Sequence, residues 1–511
     1  MLDKAPVAVL AIVIILLALL LRPKTQRPRN YLEPPLISSA VPVIGHLVAF
    51  AYYGLGYFPL QSAKTTAPIF SIRILSQKVY IIKSPGLVSA VQRSYRTMSF
   101  DPLITRTAKC VGGIKGPGLQ LIREKSSQGQ GLGHQTTATM RHTLMGESLD
   151  QMNKTIIPCL QRSVQDLKDH RGGFDLFQWC SLTLTIATTE AIYGSLNPYR
   201  RAIARKAYWE IEKSLNSLMM DFAPWLFARK AWTGREYLAN AFIEYFDAGG
   251  HLEASQMVYT RWKTQHDAGA ALADIARLEI VMGLGILSNT VPTCFWVIFD
   301  IFSRPDLLKE LREQIQQRSL SVDCDGVHTV DLAAVQDNCP LLLASFQETL
   351  RVRSNSAQLR VVHTETILDE SWLINAGSVL VIPAAVINKS KSTWGLDANE
   401  FNPQRFLTGT PKKNKASAFM SFGISPNMCA GRHLAAGEIM ALMAMLIMQF
   451  DIHPPEGTWK QPTTNVKAMA ASLSPPADQY SVTIQEREEF KGVKWNFVAA
   501  SGKGKQDLIV G

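Results

Sequence analysis

The sequence predicts a mostly α-helical protein with a small β portion. Residues 145–350 show mainly helical patterning with few strand signals. β-Branched and aromatic residues concentrate instead in three short stretches, at 68–85, 360–390 and 472–487, each bordered by turn-forming residues. Hydrophobic residues make up 47% of the 511 positions, which is enough for one large core.

The first stretch, PIFSIRILSQKVYIIKSP at 68–85, predicts two strands separated by Ser-Gln-Lys.

Residues 100–140 are predicted to be a long irregular segment. The GQGLG motif inside that segment is a weak match to a phosphate-binding loop, since no strand precedes it and no Lys-Ser/Thr follows it. It is therefore predicted to be a flexible loop.

The N-terminal stretch predicts a membrane anchor over residues 1–22. Residues 5–21, APVAVLAIVIILLALLL, are uninterrupted apolar residues, at the short end for a membrane span. Only Lys4 precedes the run, whereas four basic residues follow it, so the rest of the chain is expected in the cytosol. A cleaved signal peptide would carry its charges first and a small-residue cleavage site afterwards. The basic residues after the run are Arg22, Lys24, Arg27 and Arg29.

Prolines interrupt the chain directly after the anchor. Because proline fixes φ and lacks an N–H, they predict a stiff, extended linker over residues 23–45. The remaining residues, 46–511, are predicted to form one large domain. The linker prolines are Pro23, Pro28, Pro34, Pro35 and Pro42.

The charge and the cysteine content argue against several classes of protein. The formal net charge is +11, but the basic residues are scattered and form no long run or aromatic-interleaved stripe. Nucleic acid is therefore not expected as a partner, and a basic face toward a membrane or an acidic protein is favoured.

Seven cysteines occur, none in a CxxC pair. Their odd number argues against a disulfide framework or a structural zinc site and for a reducing compartment.

One cysteine, Cys429, stands between a loop rich in Gly, Ser, Pro and Asn and the apolar helical pattern that ends at residue 450. An isolated cysteine is usually a small buried hydrophobe. Here a helix start would supply unpaired N–H groups and a positive dipole end, which favour the thiolate. Gly431 follows, and its missing Cβ leaves room for a large flat group. Together these features predict a thiolate ligand of haem iron.

The pattern that begins at Phe422 and ends at Arg432 resembles the haem-binding loop of the cytochrome P450 family. The resemblance implies that Cys429 is the axial ligand of the iron of haem b. It also implies that four residues around it contact the haem, namely Phe422, Gly423, Gly431 and Arg432.

The loop departs from the family pattern at two positions. Ser425 stands where the family usually has a second glycine, and Asn427 where it usually has an Arg or His that binds a haem propionate. The second departure puts one propionate contact in doubt, but not the axial ligand. His433 is a rival ligand by residue type and is expected to face away from the iron.

The motif SFQETLRVR places Glu348 and Arg351 on one face of a predicted helix. Its apolar neighbours predict a buried pair rather than a surface ion pair, and a buried arginine needs more acceptors than one carboxylate. Arg405 in EFNPQRF adds a further charge. By resemblance, these three residues brace the core behind the haem, and Arg360 binds a haem propionate.

Residues 278–302 are apolar nearly all round, so they predict a buried helix. Pro292 cannot donate to the carbonyl of Ser288, which opens the helix locally; a kink that serves packing alone is the alternative. In the family this helix crosses the haem, and an acid followed by a threonine delivers protons to oxygen. Thr290 matches the threonine, but Asn289 replaces the acid, and an amide can orient water but cannot relay a proton as a carboxylate does.

The resemblance implies a monooxygenase of the endoplasmic-reticulum membrane with its catalytic domain in the cytosol. O2 and electrons from NADPH–cytochrome P450 reductase, with cytochrome b5 as an optional donor, would oxidise a small apolar substrate. The string Asn-Thr-Val-Pro before Phe-Trp is most similar to the branch of cholesterol 7α-hydroxylase, prostacyclin synthase and fungal biosynthetic relatives. A terpenoid or sterol-like substrate is therefore predicted by analogy, in a pocket shaped by residues 99–113 and 472–474.

Two alternatives stay open at this point. A haem-thiolate isomerase or synthase would rearrange a peroxide or similar substrate without a reductase. A non-enzymatic membrane protein with an inert, buried Cys429 would bind no haem.

Overall fold

The computed structural model describes residues 31–499 apart from 40, 42, 43, 171 and 408–415, and also residue 508. The predicted anchor at 1–22 lies outside the described residues, as does the first part of the predicted linker at 23–45.

Residues 44–140 combine a β-hairpin with a series of short helices. The predicted hairpin at 68–85 is confirmed: β1 and β2 pair antiparallel, and Leu75 takes a positive φ of 54° in the turn between them. The elements are α1 Gly45–Tyr53, α2 Tyr57–Ser62, β1 Ile69–Ile74, β2 Gln77–Ile82, α3 Val88–Arg93, β3 Met98–Ser99, α4 Asp101–Thr107, α5 Gly116–Arg123 and α6 Leu132–Met140.

The prediction of a long irregular segment at 100–140 is wrong. Three of the helices just given, α4 to α6, lie there, and a π-helical turn at Ala108–Gly112 continues α4. Gly113, Gly116 and Gly129 have positive φ values between the helical pieces. These glycines divide the segment into helices of seven to nine residues, shorter than the window of about 11–18 residues over which an apolar period is recognised.

The predicted helical body at 145–350 is confirmed, with three short strands inserted. Asp175 caps one of its long helices by accepting hydrogen bonds from the N–H groups of Phe177 and Gln178. The elements are α7 Gly146–Gln165, β4 Phe174–Asp175, α8 Leu176–Tyr193, α9 Ala202–Lys213, α10 Leu215–Met219, α11 Pro224–Phe227, α12 Arg229–Asp247, α13 Gln256–Asp267, α14 Leu272–Leu287, α15 Thr290–Phe302, α16 Pro305–Ser319, β5 Leu320–Val322, β6 His328–Asp331, α17 Leu332–Asn338 and α18 Pro340–Arg353.

The C-terminal part returns to short strands around one long helix. The elements are β7 Ala357–Val362, β8 Thr366–Leu368, β9 Trp372–Ile374, β10 Val379–Pro383, α19 Ala384–Ile387, α20 Lys391–Trp394, α21 Gln404–Leu407, α22 Arg432–Gln449, β11 Phe450–His453, β12 Ser481–Glu486 and β13 Trp495–Val498. The largest sheet among the described residues has the strand order β1-β2-β10-β7-β3, which joins the hairpin to the strands after α18.

The buried core runs through α7, α8, α14, α15, α18 and α22. The predicted opening of the helix at 278–302 is present: α14 ends at Leu287, and Ser288 and Asn289 form a turn before α15. Pro292 then lies in the first turn of α15, where a backbone N–H would have no intrahelical partner. Within the described chain, Leu272–Phe302 is the single helical stretch long and apolar enough to cross a membrane, but it is mostly buried inside the protein.

Candidate active site

A deep cleft lies between the α14–α15 break and the loop that leads into α22. It encloses about 1490 Å³ of space, including its open mouth. Its lining brings together eight residues singled out from the sequence, namely Asn289, Thr290, Phe422, Gly423, Asn427, Cys429, Gly431 and Ser472. Most of the other lining side chains are apolar, among them Phe100, Met140, Ile192, Met282, Ile286 and Leu350.

Cys429 lies at the floor of this cleft. Its backbone N–H donates to the carbonyl of Phe422 at 2.8 Å, which closes the loop. The residue is exposed, but the surface it exposes faces the cleft. Burial raises the pKa of the Cys429 thiol, while the Gly431 N–H and the Arg432 charge act in the opposite direction.

The Gly431 N–H at the helix start therefore acts in the predicted direction, toward the thiolate, but burial of the sulfur has the larger effect on the thiol pKa. A metal ion bound to the sulfur would remove its proton directly.

Two glycines give the floor of the cleft its shape. Gly423 has a φ of +80°, and a Cβ there would lie 3.1 Å from the carbonyl oxygen of Asn427, so a larger residue would strain the loop. A Cβ on Gly431 would meet no atom within 4 Å, because that side of the residue is open. The floor therefore fits a large flat group laid against the start of α22.

Two guanidinium groups, one half-buried on Arg141 and one buried on Arg360, lie at one end of the loop. Arg141 donates to the carbonyl of Pro426 at 3.0 Å, but its buried Nε has no hydrogen-bond partner among the described residues. Arg360 is 3% exposed and donates to the carbonyls of Leu359 at 2.8 Å and Ile424 at 3.5 Å. Burial lowers the pKa of Arg360 to about 10, while Asp101 opposes the shift. Both cations have capacity for an added carboxylate, which fits the propionates of haem.

The sequence reasoning missed Arg141. No local motif marks it, because its contact with the loop joins residues 285 positions apart. Asn427 lines the cleft but brings no charge, and Arg141 offers a cation near this position of the loop. Arg432 stabilises the end of the loop by donating to the carbonyl of Cys429 at 2.9 Å. His433 is buried and does not line the cleft.

Asn289 and Thr290 occupy the helix break above the floor. The amide oxygen of Asn289 accepts hydrogen bonds from the N–H and the hydroxyl of Ser472, both at 2.8 Å. Because a backbone N–H can only donate, this contact identifies the oxygen end of the amide. The Thr290 hydroxyl donates to the carbonyl of Ile286 at 3.1 Å. Asn289 therefore presents its NH2 donors, and Thr290 its hydroxyl lone pairs, to further partners.

Glu348 and Arg351 form a fully buried pair behind the cleft, with two hydrogen bonds of 2.7 Å. Arg351 also donates to the carbonyls of Asn388, Ala398 and Glu400, so all five of its N–H groups have partners. Glu348 accepts the N–H of Asn402 at 2.8 Å, and the Arg405 Nε lies 3.4 Å from the same carboxylate. The structure thus brings together the three charges that the sequence motifs predicted to meet.

Enzymes that bind haem iron through a cysteine thiolate are the class that this helical fold and cleft fit. The family model for cytochrome P450 matches residues 34–482. The chain is 42% identical over 94% of its length to cytochrome P450 monooxygenase nodJ of Hypoxylon pulicicidum, covering 95% of that protein. It is 26% identical to a cytochrome P450 monooxygenase of Gibberella zeae, with 92% of each chain covered. It is 22% identical to 7-alpha-hydroxycholest-4-en-3-one 12-alpha-hydroxylase of Oryctolagus cuniculus, over 86% of this chain and 91% of the other.

The chain belongs to the cytochrome P450 family. The resemblance indicated by the sequence motifs is thereby confirmed, and so is the class of enzyme, a cytochrome P450 monooxygenase. The family implies a haem-thiolate cofactor, O2 and a redox partner.

Proposed function

We propose that this monooxygenase binds haem b through Cys429 and inserts one oxygen atom of O2 into a small apolar substrate. Phe422, Gly423 and Gly431 would border the porphyrin, and Arg141 and Arg360 would bind its propionates. Bound there, the haem would supply oxygen activation with two electrons from NADPH delivered by a reductase. The position of Cys429 at the floor of a mostly apolar cleft is the observation that carries this proposal.

The side chains of the cleft have two tasks in this proposal. The apolar lining binds the substrate and excludes water, which favours hydrocarbon-like molecules over polar ones. The helix break places a hydroxyl and an amide above the floor, where the second oxygen atom of O2 must gain two protons to leave as water. Thr290 would hold a water or a proton at its hydroxyl oxygen, and Asn289 would orient that water with its NH2 group.

A carbon monoxide difference spectrum of the reduced full-length protein tests the cofactor. We expect the band of a thiolate-ligated haem, and a band typical of imidazole ligation would contradict Cys429 as the ligand. Product formation that requires NADPH, reductase and O2 would support a monooxygenase. Turnover of a peroxide substrate without reductase would favour the haem-thiolate isomerase instead.

The substrate class is proposed as terpenoid or sterol-like. The named hydroxylase of Oryctolagus cuniculus carries a sterol-type compound in its name, and the apolar cleft supports a substrate of this kind. Titration of the ferric protein with sterols and terpenoids should shift the iron spin state for a true substrate. Short fatty acids serve as the comparison, and stronger shifts with them would contradict the assignment.

Thr290→Ala should uncouple the reaction. Without the hydroxyl, water at the helix break loses a partner, so more of the oxygen should leave as hydrogen peroxide and less product should form, by about tenfold or more. The ratio of peroxide to product per NADPH consumed measures this effect. Thr290→Ser keeps the hydroxyl and should restore coupling; equal coupling in Thr290→Ala and the wild type would show that another group performs this task.

We also propose that the protein is held at the cytosolic face of the endoplasmic-reticulum membrane by residues 1–22 and by a second apolar surface. Five neighbouring side chains around α11 are between 62% and 75% exposed, which is unusual for large apolar residues. They are Met220, Phe222, Trp225, Leu226 and Phe227. Asn216 donates to the carbonyl of Lys467 at 2.7 Å, so this surface adjoins the turn that exposes Val466 and Met469.

Replacement of the three aromatic residues at 222, 225 and 227 by serine should weaken membrane binding in a chain that starts at residue 23. Each buried aromatic side chain contributes about 1.5–3 kcal/mol when fully removed from water, so vesicle binding should fall by at least about tenfold. Cosedimentation with phospholipid vesicles measures it. Leu396→Ser, at a side chain that is 88% exposed elsewhere, is the matched control. Equal binding of the triple variant and the control would contradict a role of this surface.

A further inference from the structure

The turn at the helix break contains two residues, Ser288 and Asn289, and each is held by a different part of the chain. Asn289 is held by Ser472, as described above. The hydroxyl of Ser288 forms a hydrogen bond of 2.8 Å with the hydroxyl of Tyr208 on α9. Asn289 and Ser472 line the cleft, whereas Tyr208 and Ser288 do not. Tyr208 therefore contacts the break from outside the space that substrate and cofactor would fill.

The hydrogen bond between Tyr208 and Ser288 is enclosed by protein. Tyr208 is 0% exposed and Ser288 is 1% exposed. Water therefore cannot replace either partner, so the removal of one hydroxyl is costly for the other. Burial raises the pKa of Tyr208 well above its ordinary value, so the phenol stays protonated. It can hold the serine in place, but it does not exchange protons near neutral pH.

Gly283 on α14 lets the Tyr208 ring lie directly against this helix. A Cβ at Gly283 would lie 3.0 Å from Cε2 of Tyr208 and 3.1 Å from the hydroxyl oxygen of Tyr199. Both distances are tighter than ordinary contacts, so a larger residue would push the two rings away from α14. Tyr199 and Tyr208 also pack edge to face, with ring centroids 6.1 Å apart. The ring is thus fixed by α14 and by Tyr199, which fixes the position of its hydroxyl.

Ser288 lies where the backbone of the break is weakest. Pro292 has no N–H to donate to the carbonyl of Ser288, so the helical hydrogen bond at this point is lost. The turn nevertheless has near-helical dihedral angles, with φ −62° and ψ −21° at Ser288 and φ −99° and ψ −40° at Asn289. A small change of these angles would move Asn289 and Thr290 relative to the cleft floor. The side-chain bond to Tyr208 restrains such a change.

We propose that Tyr208 is a positioning residue, which fixes the helix break through Ser288 and thereby sets the places of Asn289 and Thr290 above the cleft floor. The effect on catalysis rests on the proposed monooxygenase function, in which these two residues hold and orient water. A displaced break would let more oxygen leave as hydrogen peroxide. In that side reaction O2 takes up two protons and two electrons from NADPH, and no substrate is oxidised.

Tyr208→Phe in the full-length protein removes only the hydroxyl. We expect an unchanged carbon monoxide difference spectrum and about a threefold rise in the ratio of peroxide to product, because the net strength of one buried hydrogen bond corresponds to a factor of about 2–10 in an equilibrium. The rise should be the same at every pH at which the protein is folded, since the phenol does not titrate there. A rise confined to one side of a titration would indicate proton transfer and contradict a positioning role.

The matched control is Tyr245→Phe. Tyr245 on α12 is 3% exposed, and its hydroxyl donates to the carbonyl of Tyr193 at 3.2 Å rather than to the helix break. The variant therefore loses a buried tyrosine hydroxyl of the same kind and should couple like the wild type. A similar rise in both variants would show that any buried cavity or lost hydrogen bond uncouples the enzyme, and would contradict the proposal.

Ser288→Ala removes the other half of the bond and decides the question even if Tyr208→Phe folds poorly. The double variant should show no larger rise than either single variant, because the bond can be lost only once. In the Thr290→Ala background, Tyr208→Phe should add less than it does in the wild type, since the hydroxyl that it positions is gone. Effects that multiply in either combination would contradict the proposal.

Hydrogen exchange gives a readout that depends on neither haem nor turnover. Peptides that span residues 286–291 should exchange about 2- to 10-fold faster in Tyr208→Phe than in the wild type, because the break opens more often. Mass spectrometry of the full-length protein measures this. Tyr245→Phe should leave the exchange of these peptides unchanged.

The outcomes separate this inference from the proposed function. A wild-type chain without a thiolate-haem spectrum would overturn the proposed function, and unchanged exchange at the break in both Tyr208→Phe and Ser288→Ala would overturn the inference with or without haem. A normal thiolate spectrum combined with wild-type coupling in both variants would overturn this inference alone.

Discussion

Glu348→Ala should destabilise the folded protein by about 3–5 kcal/mol, because it leaves the buried guanidinium of Arg351 without its carboxylate. Arg351 and Glu348 are both fully buried, so water cannot replace the lost hydrogen bonds. The Arg405 Nε, 3.4 Å from the same carboxylate, loses that partner as well. Denaturant unfolding followed by circular dichroism measures the free energy of unfolding.

Glu348→Gln tests how much of the lost stability depends on the charge of the carboxylate. The amide oxygen can still accept one hydrogen bond, but its NH2 group would face donors, so the loss of stability should be smaller than for alanine. The matched control is Glu456→Ala. Glu456 pairs with Lys460 on the surface, where both side chains are more than 70% exposed, so its removal should have no measurable effect. Equal destabilisation by Glu348→Ala and Glu456→Ala would contradict the argument that burial makes this pair costly to break.

Local patterns in the sequence predicted much of the fold. The hairpin of β1 and β2 follows from two apolar, β-branched runs around a short turn, and the break between α14 and α15 follows from Pro292. The pairing of Glu348 with Arg351 follows from their spacing of three on one helix. In each case the residues that interact are close in the chain, so their period or spacing is visible.

The missed features depend on contacts between distant residues or on short elements. Arg141 reaches the loop 285 positions later, and the Asn289 amide is oriented by Ser472, 183 positions away. One sequence alone does not reveal that residues so far apart in the chain are in contact, because only the folded chain brings them together. Helices α4 to α6 have nine residues or fewer, which is less than the window of about 11–18 residues over which an apolar period is recognised.

The sequence also did not show which effect dominates the pKa of the Cys429 thiol. A helix start predicts a stabilised thiolate, and the Gly431 N–H does act in that direction on Cys429. The loop, however, holds the sulfur at the floor of the cleft among protein atoms, and desolvation there raises the thiol pKa by more than one N–H group lowers it. Only the fold determines how far the sulfur is shielded from water. The protein without haem should therefore hold Cys429 mostly as the neutral thiol near neutral pH.

Cys429→Ser should abolish the thiolate-haem spectrum and reduce monooxygenase activity to background. A serine hydroxyl is a much weaker ligand than a thiolate for haem iron, and it supplies far less electron density for cleavage of the oxygen–oxygen bond. The fold should survive, because the side chain faces the cleft and the loop is closed by the backbone hydrogen bond from Cys429 to Phe422. The carbon monoxide difference spectrum and product formation per haem measure the two effects.

The matched control is Cys339→Ser, which changes a buried cysteine at the start of α18 that does not line the cleft. Burial raises the pKa of Cys339 to about 11, so it is a neutral thiol with no access to a cofactor in the cleft. Its variant should keep the thiolate spectrum and lose only some stability. Retention of the thiolate spectrum in Cys429→Ser, or its loss in Cys339→Ser, would place the ligand elsewhere. If Cys429→Ser binds haem with an altered spectrum, the two arginines and the glycine floor suffice to hold the porphyrin, and the sulfur is needed for the reaction rather than for retention.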